Sequence, residues 1–134
     1  MVTKFVTSGV TAKGSEVFEN TQATISCVVT GLTKQLEAVT WEKPSSGGVI
    51  THNTDDYLIE VGTYDSGSNT QTTVLTIPDS ANTGDAVYTC IIQSVEHGKG
   101  SGSEERKAVN SKVFSEYLTN NNLIRMFRSL ICYL

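Results

Sequence analysis

The chain has no stretch of about 18 apolar residues, so as given it is expected not to cross a membrane as a helix. It has no Lys/Arg cluster longer than two adjacent residues, and 10 basic against 14 acidic residues leave a net charge of −4. A protein of that sign has no electrostatic reason to hold a phosphate backbone, which argues against nucleic acid as a partner. No Asn-x-Ser/Thr sequon occurs: Asn20, Asn53, Asn69, Asn82 and Asn110 each miss it, so no N-linked glycan is expected to block a docking face. Met1–Phe5 has neither the basic start nor the apolar run of a secretory leader. An extracellular assignment therefore requires a fragment, or a mature form with an added methionine.

The signatures of catalysis are equally thin. An enzyme site needs a nucleophile, a base and a group to orient the base. There are two histidines, His52 and His97, both in turn or loop sequence, and no serine sits in a Gly-x-Ser-x-Gly elbow. His97 with Ser94 or Ser101 makes a triad on paper, as any serine-rich chain would. Asp55-Asp56 and Glu104-Glu105 are adjacent carboxylates, which in a strand point to opposite faces and do not make an acid/base pair. The histidines lack zinc spacing, and Asp79, Asn82 and Asp85 near one corner follow no calcium-loop pattern. Gly98-Lys99-Gly100-Ser101-Gly102 lacks the ending of a phosphate loop and joins strand to strand. The expectation is a non-enzyme without catalytic residues, metal or cofactor.

What is present is alternation. The 134 residues are 38% hydrophobic, enough for one core, and rich in Ser, Thr, Gly and Asn. That mixture suits short strands joined by polar turns. Residues 2–7 and 16–19 suit a split first strand. In 22–30, Ala23, Ile25, Cys27 and Val29 share one side. Residues 37–43 put Val39 and Trp41 inward, Pro44–Gly48 is a turn, and 49–51 a short strand. Residues 56–62 carry Tyr57, Ile59 and Val61 on one face, and Asp65–Asn69 is a hairpin tip. Thr73, Leu75 and Ile77 alternate inward until Pro78, and Ser80–Gly84 makes a corner. Ala86, Tyr88, Cys90 and Ile92 form the next inward row, and 106–114 returns with Val109 and Val113 inward. Eight or nine strands result, the number a two-sheet sandwich needs.

Cys27, Trp41, Leu75 and the run Asp85-Ala86-Val87-Tyr88-Thr89-Cys90 together resemble the immunoglobulin superfamily, over roughly residues 15–114. The resemblance implies an all-β, immunoglobulin-like two-sheet Greek-key sandwich with a disulfide from Cys27 to Cys90. Trp41 would pack on that bond, Leu75 would join the core and Tyr88 would pin a corner. The bond would close a loop of about 64 residues, worth about 4 kcal/mol in the chain-entropy account. It also implies an oxidising compartment, the cell surface or extracellular space; the other reading is two buried thiols, as in cytosolic members. Gly84 stands where variable-type domains usually carry an aspartate, no arginine lies between the cysteines, and no Phe-Gly-x-Gly marks the last strand. A variable-like or intermediate-type domain fits; an antigen-receptor chain does not.

The domain is expected over 1–114, with 115–134 a short non-family C-terminal tail. Leu118, Leu123, Ile124, Met126, Phe127, Leu130, Ile131 and Leu134 form an apolar stripe with Arg125 and Arg128 between, and Asn120–Asn122 suits a helix start. The tail reads either as an amphipathic helix docking on the domain, a membrane surface or a partner, or as a disordered appendage from splicing or gene-model error. Three cysteines leave one unpaired; Cys132 would be an intermolecular link or an accidental thiol.

Two binding sites are expected. One is the outer face of the Trp41/Cys90 sheet, at Thr40, Glu42, Thr89, Ile91, Gln93, Asn110 and Lys112, with Ala38 and Ala108 beside them and Ile91 exposed at the centre. Superfamily members commonly associate through this face. The other is the loop end at His97, Lys99, Glu104, Glu105 and Arg106. The implied function is non-catalytic recognition or adhesion, binding another protein or itself, with a possible homodimer. The alternatives are a structural spacer in a larger multidomain protein and a small secreted effector acting through its tail.

Overall fold

A computed structural model describes residues 9–50, 55–94, 103–119 and 122–126. Among the described residues, ten strands lie in two sheets: β1 (Gly9–Lys13), β2 (Ser15–Phe18), β3 (Ala23–Thr30), β4 (Ala38–Glu42), β5 (Val49–Ile50), β6 (Leu58–Val61), β7 (Gln71–Ile77), β8 (Ala86–Ser94), β9 (Ser103–Thr119) and β10 (Asn122–Met126). One sheet has the order β1-β3-β7-β6; the other runs β10-β9-β8-β4-β5, with β2 added in parallel to β9. This is the two-sheet sandwich expected from the alternation and, in its immunoglobulin-like form, implied by the resemblance, with β5 as one short extra edge strand.

The inward rows fill the space between the sheets. Ile25, Cys27, Val29, Trp41, Leu75, Ile77, Cys90, Ile92, Val109 and Val113 are essentially inaccessible. Cys27 and Cys90 are disulfide-bonded across the sandwich, with Cα atoms 6.7 Å apart. Trp41 is the register partner of Cys90, and Thr73 that of Cys27. The Trp41 indole N–H donates to Thr73 Oγ1 at 3.1 Å. A covalent bond and a buried hydrogen bond thus tie the same two strand pairs together, side by side.

The buried polar side chains have partners, as burial demands. Thr73 Oγ1 also donates to the Glu60 carbonyl at 3.0 Å. Gln71 accepts from the Leu36 N–H at 2.8 Å and donates to the Gly62 carbonyl at 2.9 Å. It thereby holds the loop before β4, whose Leu32 and Leu36 are buried. Asn82 donates to the Thr21 carbonyl at 2.8 Å and accepts from the Ser111 hydroxyl at 3.4 Å. Asp85 accepts from the Val113 N–H at 2.8 Å. The Asp79–Asn82–Asp85 corner is a fastening between β9 and the turn before β8.

Several sequence expectations are corrected. The first strand of the described chain begins at Gly9; residues 2–7 lie outside the described residues. It crosses between sheets at Gly14, where a Cβ would collide with the Asn110 carbonyl oxygen. Tyr88, expected at a corner, is buried against Tyr57. Its ring packs edge-on against Tyr57 at 6.3 Å between centroids, and the two hydroxyls share a hydrogen bond of 3.3 Å. Val61, placed on the inward row, is 49% exposed because β6 is an edge strand. The last strand does not end at 114. It continues to Thr119, and 122–126 pairs antiparallel with 115–119 where an amphipathic helix or a disordered appendage was expected, Leu123 opposite Leu118 and Ile124 opposite Tyr117. No helix of the described residues is long and apolar enough to cross a membrane.

Candidate functional site

The register of β4, β8 and β9 decides which side chains share the outer face. Ala38, Gln93 and Glu104 form one row, Thr40, Ile91 and Arg106 the next, then Glu42, Thr89 and Ala108, then Val87 and Asn110. Lys112 lies further along β9, opposite Glu16 of β2. Thr40, Glu42, Thr89, Ile91, Gln93, Asn110 and Lys112 therefore do lie on one face, because side chains two apart on a strand point the same way.

Ile91 is not the exposed centre expected of it; only 5% of it is accessible. Arg106, its cross-strand neighbour, contributes to that cover. The Arg106 guanidinium reaches over β8 to Glu42 on β4, with N–O distances of 3.0 and 3.4 Å. Glu42 stands opposite Thr89, so the side chains meet above β8 and the Arg106 stem covers Ile91, as long charged side chains often do. Arg106 Nε lies 3.5 Å from Glu104. Hydrogen bonding and charge from Glu42, then charge from Glu104, hold the guanidinium proton more tightly than usual.

The apolar surface of the face lies at its other end. Val87 is 47% exposed, in the row of Asn110, and Val49, opposite Glu42 on β5, is 58% exposed. A shallow depression of about 460 Å³ is lined by Pro44, Ser45, Val87, Asn110 and Lys112. A second, of about 380 Å³, lies by Gly14, Ser15, Glu16, Asn110 and Lys112. Asn110 and Lys112 border both. Sequence reasoning missed Val87 and Val49, although Val87 has the parity of Thr89 and was legible from alternation alone.

The loop-end candidates separate. His97 and Lys99 lie outside the described residues, as does His52. Glu104 is exposed and Glu105 half-buried opposite Ile92. Arg106 belongs to the sheet face through Glu42. Asp55 and Asp56 sit in a turn with φ of 54° and 66°, and Asp55 pairs with Lys43 at 3.3 Å. Among the described residues no three His, Cys, Asp or Glu side chains cluster as a metal site would require.

No family model and no curated protein matches the chain. Among solved structures it is similar to Rst D1-D2, at 14% identity and TM-score 0.50, covering 80% of this chain and 49% of that one. The chain thus spans about half the length of that structure. It also aligns with a chain from the structural study of T cell activation by the bacterial superantigen toxic shock syndrome toxin-1, at 14% identity, TM-score 0.49, and 78% and 99% coverage. A third is AggA, the major subunit of Escherichia coli aggregative adherence fimbriae type I, at 9% identity, TM-score 0.42, and 78% and 93% coverage. At these identities the first likeness speaks to a β-sandwich fold alone, and the other two carry no argument.

Proposed function

We propose that this chain is an immunoglobulin-superfamily module for non-catalytic recognition or adhesion, in the extracellular space or at the cell surface, and that it binds a protein through the outer face of β9, β8, β4 and β5. The observation that carries the reading is the pair of exposed valines on that face, Val49 and Val87, of which Val87 also lines a shallow depression at one end. Val49 and Val87 supply apolar area; Asn110 and Lys112 supply polar groups at its border. An apolar centre with a polar rim is how protein interfaces are commonly built. The inter-sheet disulfide supports an oxidising compartment.

The test uses the full chain, tetramerised and fluorescently labelled, on a panel of live cells. Protease-sensitive binding that drops at least tenfold with Val87→Glu or Val49→Lys is the expected outcome. Binding insensitive to both substitutions would place recognition elsewhere.

A further inference from the structure

We propose that the free edge of β6 pairs with β6 of a second copy, joining two four-stranded sheets into one continuous eight-stranded sheet about a two-fold axis at Ile59. This surface belongs to the opposite sheet from the recognition face, so the two readings stand or fall separately.

β6 is the end strand of its sheet, and among the described residues no strand pairs its outer side. Edge strands are usually guarded by shortness, Lys, Pro, a bulge or an inward charge, and β6, of four residues, is short. Tyr57-Leu58-Ile59-Glu60-Val61-Gly62 has neither Lys nor Pro, and Glu60 is its one charge. Leu58 and Val61 are 37% and 49% exposed, on opposite faces of the strand.

Backbone parity then selects the partner's register. The Gly62 N–H donates to the Thr72 carbonyl at 2.8 Å, and Leu58, Glu60 and Gly62 alternate along the same ladder opposite Thr76, Val74 and Thr72. In an antiparallel pair every second residue turns its N–H and C=O to the partner and the intervening ones turn theirs away. Tyr57, Ile59 and Val61 therefore aim their backbone groups at the open edge. A two-fold pairing must use those three residues. With Ile59 opposite itself, Tyr57 meets Val61 of the second copy and Leu58 meets Glu60, giving six reciprocal hydrogen bonds. Moving the centre to Glu60 opposes two carboxylates, and moving it to Leu58 opposes Asp56 and Glu60; both are disfavoured. The Ile59 register satisfies backbone parity, keeps like charges apart and pairs more of β6 than a centre at Tyr57 or Val61 would. It also covers Val61 with the Tyr57 side of its partner and Leu58 with the Glu60 stem.

A contact along residues 57–61 of each copy buries less than the roughly 1,200 Å² of a stable complex, so the dimer is weak and concentration-dependent. The test uses the full chain carrying Cys132→Ser, which removes any intermolecular disulfide from the reading. Sedimentation equilibrium and amide exchange by NMR are followed against concentration. The expected result is a reversible dimer in which the Tyr57, Ile59 and Val61 amides gain protection with concentration, while Leu58 and Glu60 do not change. Val61→Pro, whose N–H faces outward, should weaken the dimer at least tenfold. Leu58→Lys, which places an ammonium opposite Glu60 of the partner, should tighten it about threefold. A chain monomeric to millimolar concentration overturns the proposal. So does protection of those three amides at every concentration, which would mean a segment of the same chain covers the edge. A dimer unaffected by Leu58→Lys, without the alternating exchange pattern, overturns it as well.

Discussion

Thr73→Val tests the inter-sheet tie beside the disulfide. Valine keeps the shape of threonine and removes one hydroxyl, and Thr73 and Trp41 are both fully buried. The substitution leaves the Trp41 N–H without its acceptor at 3.1 Å and takes a donor from the Glu60 carbonyl. A buried donor left unsatisfied costs about 1–3 kcal/mol, and the carbonyl adds little because the strand ladder still serves it. A loss of about 2 kcal/mol is expected, large against the 5–15 kcal/mol typical of a domain. Equilibrium urea unfolding with the disulfide intact, read by tryptophan fluorescence, should show the midpoint falling by about 1 M with the slope unchanged. In a Trp41→Phe background, followed by circular dichroism, the donor is gone. There Thr73→Val should cost less than about 0.5 kcal/mol, leaving a coupling of at least about 1 kcal/mol between the two sites. A cost below 0.5 kcal/mol with Trp41 present, or an equal cost in both backgrounds, would refute the reasoning.

Three further outcomes are expected. Ile91→Ala should cost about 2 kcal/mol by urea unfolding, a core-like penalty, because Ile91 is buried beneath Arg106; an exposed position would change stability by less than about 0.5 kcal/mol. Gly14→Ala should cost about 1–3 kcal/mol in the same assay, since its Cβ meets the Asn110 carbonyl oxygen and backbone must move. Burial first, then the hydrogen bond from Tyr57, raises the Tyr88 pKa well above its usual 10.0. Above that pH the unfolded chain has lost a phenol proton that the folded chain keeps, so this contribution to stability is full below pH 10.0 and falls as pH rises. Absorbance at 295 nm should show Tyr88 titrating only on unfolding; a Tyr88→Phe variant with the same late-titrating signal would contradict this.

The core was legible because strand alternation has a period of two and its inward residues are large and apolar. Ile25, Cys27, Trp41, Leu75 and Ile92 fall into place from spacing alone. The strand at 9–13 has no clear alternation of its own and is fixed by its pairing with β3. Neither reading of the tail, amphipathic helix or disordered appendage, includes a strand, because an apolar stripe interrupted by Arg125 fits either period over so short a span. Its strand character depends on pairing with 115–119, a tertiary fact. Leu32 and Leu36 look like loop residues until Gln71, far along the chain, supplies a hydrogen bond to the Leu36 backbone. On the outer face parity placed the residues correctly. It did not show which are covered, because the Arg106–Glu42 bridge over Ile91 joins positions 64 residues apart. The exposed apolar end at Val49 and Val87 was the larger omission.

The most direct test of the recognition face is a matched pair of substitutions on opposite sheets. Val87→Glu alters the proposed face, and Thr24→Glu, on an exposed outer position of β3, places the same charge on the opposite sheet. Both are compared at equal folded fraction in the tetramer-binding assay on live cells. Val87→Glu is expected to lose at least tenfold in apparent affinity and Thr24→Glu less than twofold. Equal losses, or loss with Thr24→Glu alone, would contradict it.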